Sequence, residues 1–221
     1  MNFQQMKTSV RQVSKDTMQK VNHFAKLERF IAVVLIFTPL ILYLVDLKYR
    51  NGFRDSISNY YFMCEPYWFG SLLTLAAALF IFNGAQHLSF QQSTNASFKS
   101  AERRFGKGYN IIFGLALFGV LFFNHISYVW LHYMFAVVFF VGCALAMIFT
   151  REPALNQFGN VLGTLTLLCL GIHFLLEYVI WKDYNPFTLL IAEWIGLILI
   201  AVYFIAESKQ RDLREREEGI Y

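Results

Sequence analysis

Long apolar runs alternate along this chain with short polar or aromatic-polar stretches. The runs lie at about Phe30–Tyr49, Tyr67–Gln86, Tyr109–Asn124, Val129–Thr150, Phe158–Trp181 and Phe187–Ala206. A helix needs roughly 20 residues, at 1.5 Å each, to cross about 30 Å of hydrocarbon. Five runs meet that length. The third is short and crosses only with little tilt or with its aromatic ends included. Pro39 lies inside the first run, where a membrane helix tolerates a kink. The pattern predicts an all-α, polytopic membrane protein built as a six-transmembrane-helix bundle.

Residues 1–28 carry no spanning run. Met6, Val10, Val13, Thr17, Val21, Phe24 and Leu27 recur at three- and four-residue steps, with Lys7, Arg11, Lys15, Lys20 and Lys26 among the polar positions. An apolar stripe with a basic remainder fits an amphipathic helix on a membrane surface; a frayed tail is the alternative. The chain thus divides into a cytoplasmic amphipathic segment (1–28), a transmembrane domain (29–207) and a charged tail (208–221). The first apolar run is long enough to span, so no cleavable leader is expected.

Composition strengthens the membrane reading. The 221 residues are 57% hydrophobic and 15% charged, with 24 Phe. Soluble domains average about 25% charged residues. The net charge of +4 is not gathered into one block, which argues against a nucleic-acid partner and leaves membrane lipids as the expected one. Cys64, Cys143 and Cys169 show neither disulfide nor metal-ligand spacing. Six helices place both termini on one side. That side carries 15 of the 19 Lys and Arg, and Lys48, Arg50, Arg54 and Lys182 fall on the other. Positive residues accumulate on the cytoplasmic side, so both termini are expected there, in a plasma (inner) membrane. The Asn95-Ala96-Ser97 acceptor match would face the cytoplasm and stay unglycosylated.

One polar stretch breaks the rhythm: Arg54-Asp55-Ser56-Ile57-Ser58-Asn59-Tyr60-Tyr61, on the outer side ahead of the second run. Ionisable residues inside apolar runs are costly and mark candidate sites. His132, His173, Glu177 and Glu193 are such residues, with Asp46 at the end of the first run. All fall in the half nearest the octad. His173 and Glu177 share a helix face, which continues inward through Thr166, Gly163 and Gly159. The expected arrangement is a bundle tight on the terminal side that opens outward into a polar cavity. Asp55, Ser56, Ser58 and Tyr60 would point into it, with His132, His173, Glu177 and Glu193 on its walls. The bland alternatives are that the acids and histidines satisfy one another, that the serines cap a helix and that the tyrosines are interfacial anchors.

Ser56-Ile57-Ser58-Asn59-Tyr60-Tyr61 resembles the Ser-Ile-Ser-x-Tyr-Tyr motif of a bacterial family of small uncharacterised membrane proteins. His132 to Phe140 is similar to that family's His-x-x-x-Ala-x-x-Phe-Phe pattern. Ile191-Ala192-Glu193-Trp194 resembles the Glu-Trp of the sixth helix in the Frag1/DRAM/Sfk1 group of six-helix proteins, though no proline precedes Ile57-Ser58 as it does in the eukaryotic members. The resemblance implies a six-helix fold and a loose link to lipid remodelling, lipid distribution or membrane trafficking, with no defined reaction.

The expected function is binding of a lipid head group or small polar ligand in the outward-facing cavity, without a cofactor. Two other readings stand beside it. A membrane-embedded lipid hydrolase or transferase would draw on zinc held by His132, His173 and a glutamate, although no zinc motif is present. A transporter would need a polar counterpart on the cytoplasmic side, and the pattern shows none, nor any inverted repeat.

Overall fold

The computed structural model describes residues 3–93, 107–150, 153–180 and 186–217, with side chains over 25–88, 108–150, 153–180, 186–210 and 212–213. Among the described residues the regular structure is all helical, without β-strands. Six α-helices occur there: α1 (Phe3–Leu47), α2 (Tyr67–Ser93), α3 (Asn110–Phe122), α4 (Val129–Ile148), α5 (Asn156–Leu175) and α6 (Leu189–Glu217). Asn95, the basic residues around it and the Lys182–Asn185 turn lie outside the described residues.

Among the described residues, five stretches are long and apolar enough to cross a membrane: Ala25–Leu47, Tyr67–Leu88, Val129–Ile148, Asn156–Ile180 and Leu189–Gln210. Helix α3 is apolar but has only 13 residues. At 1.5 Å per residue it covers ~20 Å, short of the ~30 Å of a bilayer core. Helix α1 runs unbroken through residue 28 and through Pro39. The expected N-terminal segment and the first apolar run are therefore one helix. Helix α2 continues past its expected end at Gln86 to Ser93, and α6 carries the charged tail as a direct extension.

The helices close a ring in chain order, each packed on its neighbours in sequence, with α6 returning against α1. The ring interior is a belt of aromatic and aliphatic side chains. Phe80 meets Phe139 and Phe204 edge to face, at centroid distances of 5.6 and 5.5 Å, geometry that suits the quadrupole of each ring. Large apolar side chains also cover the outside of the ring. Phe122, Trp130, Phe149 and Val179 are at least 66% exposed.

Glycines set the spacing of α4 and α5. A Cβ on Gly159 would lie 2.4 Å from the Met147 carbonyl oxygen, and one on Gly163 2.5 Å from that of Ala144. The two backbones therefore touch at the end nearest the termini. Gly171, two turns further along α5, would meet nothing within 4 Å. The helices part there, and the gap between them is the cavity described next.

Candidate functional site

The octad folds as a short 3₁₀ helix, Ile57–Phe62, held on three sides. Ser56 is its N-cap: Ser56 Oγ accepts the Asn59 N–H at 3.3 Å and lies 2.9 Å from Ser58 Oγ. Towards α1, Arg54 donates Nε and a terminal nitrogen to the two oxygens of Asp46, at 2.6 and 3.0 Å. The Asp46 side chain is fully buried. Within the segment, the Tyr60 hydroxyl donates to the Gly52 carbonyl at 2.7 Å. Burial pushes this phenol up to about 12, so it stays a donor.

Towards α6 the attachment is reciprocal. The Ile57 N–H donates to Glu193 Oε2 at 2.7 Å, and the Leu190 N–H donates to the Asp55 carbonyl at 2.7 Å. The first N–H groups of a helix lack intrahelical partners. Here each helix start is satisfied by the other segment. A carboxylate accepting at a helix N-terminus also complements its dipole.

A fourth attachment links the end of α1 to the start of α2 through Glu65. Tyr49 donates to one oxygen of Glu65. Tyr67 and Trp68 donate to the other at 2.8 and 3.1 Å, and Lys48 lies 3.5 Å away. These hydrogen bonds, the one from Tyr49 foremost, hold the carboxyl down at about 2, against an ordinary 4.5. A depressed acid contributes stability fully above its unfolded pKa and loses it as pH falls through the folded one. The thermal stability of wild type over Glu65→Gln in neutral detergent should therefore be constant above about pH 5 and shrink as pH falls from about 4.5 towards 2. A gap that stays constant down to pH 3 would mean the network does not hold the charge.

Beneath the octad lies a cavity of about 660 Å³ between α4, α5 and the start of α6. Asp55, Ser56, Ser58, His132, His173, Glu177 and Glu193 all line it. Seven of the eight residues expected at the site are thus brought together. Tyr60 is not: its ring is buried in the core and its hydroxyl turns back to Gly52. The expectation that it points into the cavity fails because the segment needs a donor to close its own loop. Asn59, His125 and Thr188 line the cavity as well, and sequence reasoning missed them.

The wall residues are held by backbone. His132 Nδ1 lies 2.7 Å from the Phe123 carbonyl and His173 Nδ1 2.8 Å from that of Phe187. A carbonyl only accepts, so each ring carries its proton on Nδ1. Just before, Asn124 Oδ1 accepts the N–H groups of Ile126 and Ser127 at 3.1 and 2.7 Å, which forms the tight α3–α4 turn. After Leu175 the fifth helix widens into a π-turn, Leu176–Ile180, that carries Glu177 and Tyr178. Such bulges recur at functional sites. Away from the octad the walls turn apolar, with Ala136, Val137, Phe140, Leu167 and Leu170. As for the zinc reading, no three His, Cys, Asp or Glu among the described residues are close enough together to hold a metal ion.

A second polar layer sits at the terminal end of the ring, where none was expected. Asn110 Nδ2 donates to Asn83 Oδ1 at 2.6 Å, and Ser208 donates to the Ala25 carbonyl at 3.1 Å. Buried Glu28 lies 3.6 Å from His87. Asn83 lies near the end of the second apolar run, Tyr67–Gln86, and His87 just beyond it, where polar residues suggest an exit from the membrane. Their alignment with Ala76 and Phe80 at helical steps was the available signal that they face inward. The Phe80, Phe139 and Phe204 belt separates this layer from the cavity.

A ring of helices with apolar outer faces, five of them long enough to span, and a cavity polar at one end describes a helical protein compatible with a membrane. A family of unknown function, DUF7103, matches residues 37–208, so the chain belongs to that family. The match takes in the octad and all the cavity residues. No curated protein and no solved structure matches the chain.

Proposed function

We propose that this chain is an integral membrane protein that binds a lipid in the cavity between α4, α5 and α6. The observation that carries the reading is the shape of the cavity: polar under the octad, apolar further in, and walled by residues that also reach the outside of the ring. Val137 on α4 and Tyr178 after α5 line it while 52% and 66% exposed. Such a cleft would open sideways towards lipid. A head group would rest against the octad and a chain along the apolar wall.

Insertion is supported by the apolar exterior, since soluble proteins rarely expose large contiguous apolar surface. Tyr67, Trp68, Tyr128, Trp130 and Tyr178 are exposed around the octad end, as residues of a membrane interface would be. In this reading all six helices cross, α3 with its flanking turns in a locally thinner bilayer. Both termini lie in the cytoplasm, by the charge asymmetry, and the octad lies outside. The likeness of the octad and the Glu193-Trp194 pair to the Frag1/DRAM/Sfk1 group points the same way, towards lipid distribution or remodelling. The aromatic belt between the two polar layers gives no support to a transporter reading.

Gly171→Phe tests the cavity. Its side chain has room to enter, so the variant should fold, elute and melt like wild type. Native mass spectrometry of protein released from lipid should then show the co-purifying lipid lost from the variant. Lipid retained at the wild-type level would sink the reading.

A further inference from the structure

We propose that the cavity selects an amphiphile whose head group carries an ammonium. This rests on the lipid-binding reading above and adds the chemistry of the head.

The first argument is the charge of the lining. Asp55, Glu177 and Glu193 face the cavity, while no Lys or Arg among the described residues does. Among the described residues, the arginines nearest the octad lie on its α1 side. Arg54 is bound to Asp46 on the α1 side. With Arg50 it lines an adjoining recess of about 510 Å³, which shares Asp55 and Asn59 with the cavity but whose two arginines do not line the cavity itself. A phosphate brought in without a counter-charge would lose its hydration and meet carboxylates of like sign. In a medium poorer than water such repulsion rises steeply as the dielectric falls. An ammonium meets the opposite condition, with acceptors at the mouth and no Lys or Arg among the described lining residues.

The second argument is independent of charge count. Besides Phe140 on the apolar wall, Tyr133 on α4 lines the cavity with Phe174 and Tyr178 on the fifth helix and its π-turn. The last two stack, with centroids 6.2 Å apart and planes 15° from parallel. Aromatic faces attract a partly desolvated cation, quaternary ammonium included. Carboxylates and ring faces around one cavity suit an amine head and offer little to an anionic one. Of the three acids, Glu193 is buried and accepts the Ile57 N–H, while Asp55 accepts only a long, exposed bond from Asn59 Nδ2 at 3.4 Å. Asp55 and Glu177 are the pair expected to meet the ligand.

The test uses full-length protein in an uncharged detergent with chain-matched lipids. Phosphatidylethanolamine, its N-acetylated form and phosphatidylglycerol are supplied as an equimolar mixture, and bound species are counted by native mass spectrometry. Phosphatidylethanolamine should dominate. N-acetylation, which replaces the ammonium with a neutral amide and keeps the phosphate and the chains, should abolish the preference. Asp55→Asn combined with Glu177→Gln should weaken phosphatidylethanolamine binding by about tenfold, a loss near one full step on the affinity scale. Arg50→Ala, in the adjoining recess, should change nothing. The wild-type lipid ratio stands as a measurement even if the double variant fails to fold. Ethanolamine alone, displacing the lipid at millimolar concentration, would support the head chemistry and assign it to a small soluble amine.

Phosphatidylglycerol bound equally or better overturns the ammonium assignment and leaves the lipid cavity standing. So does a wild-type preference that folded carboxamide variants preserve. Failure of every lipid and of ethanolamine to bind overturns the cavity reading, and this proposal with it.

Discussion

Replacing Asp46 with alanine should destabilise the protein by about 3 kcal/mol and release the octad from α1. Asp46 has no exposed side-chain surface, and it receives two hydrogen bonds from Arg54. Removing one partner of a buried ion pair typically costs about 3–5 kcal/mol, because the remaining charge is left uncompensated. The low end applies here, since Arg54 keeps 20% of its side-chain surface in contact with the exterior and can turn outward. The guanidinium also lies 5.9 Å from the centre of the Tyr60 ring, so its loss of position should loosen the hydrogen bond from Tyr60 to Gly52. The measurement is denaturation in detergent followed by tryptophan fluorescence. The double variant Asp46→Leu with Arg54→Leu separates charge from packing. An apolar pair of similar volume is often neutral, so the double variant should recover much of the loss. An Asp46→Ala protein as stable as wild type would show that the pair does not hold the octad.

How much of this was legible in the sequence depends on what each residue bonds to. Asp46, Glu193, His132 and His173 stood out because an ionisable side chain in an apolar run is costly wherever it goes. Of these, His132, His173 and Glu193 line the cavity, while Asp46 is held by Arg54 on the α1 side of the octad. Their partners were not legible. Glu193 binds a backbone N–H more than a hundred positions away, His132 and His173 bind backbone carbonyls, and a peptide group has no signature in a sequence. The same holds for the Leu190–Asp55 bond and for the π-turn after Leu175, which a strict 3.6-residue period cannot anticipate. Tyr60 was misplaced because a tyrosine in a polar loop can face a cavity or close its own loop, and only the path of Gly52 decides between them. The terminal polar layer was missed for a different reason. The second run loses its apolar character near Gln86 while α2 continues to Ser93, so polarity at Asn83 and His87 reads as a helix end rather than an inward face.

The glycine face of α5 was read correctly, and it carries the second large effect. Gly163→Leu should cost about 3 kcal/mol and disturb the cavity that lies beyond it. A Cβ at this position would already sit 2.5 Å from the Ala144 carbonyl oxygen and 2.7 Å from Ile148 Cγ1. Overpacking typically costs about 1–3 kcal/mol, when neighbouring side chains can shift. Here the nearer obstacle is backbone, which yields only by moving α4 away from α5, so the upper end applies. The two helices touch at Gly159 and Gly163 and separate at Gly171, so this contact is the pivot of the cleft. Forcing it apart should also reduce lipid retention, although Gly163 does not line the cavity. Gly171→Leu, about 12 Å further along the same helix, adds the same side chain where a Cβ meets nothing within 4 Å and should change stability little. Thermal unfolding and native mass spectrometry of both variants, side by side, give the answer. Equal destabilisation by the two would refute a pivot at Gly163. A destabilised Gly163→Leu protein that keeps its lipid would place the binding site somewhere other than the gap between α4 and α5.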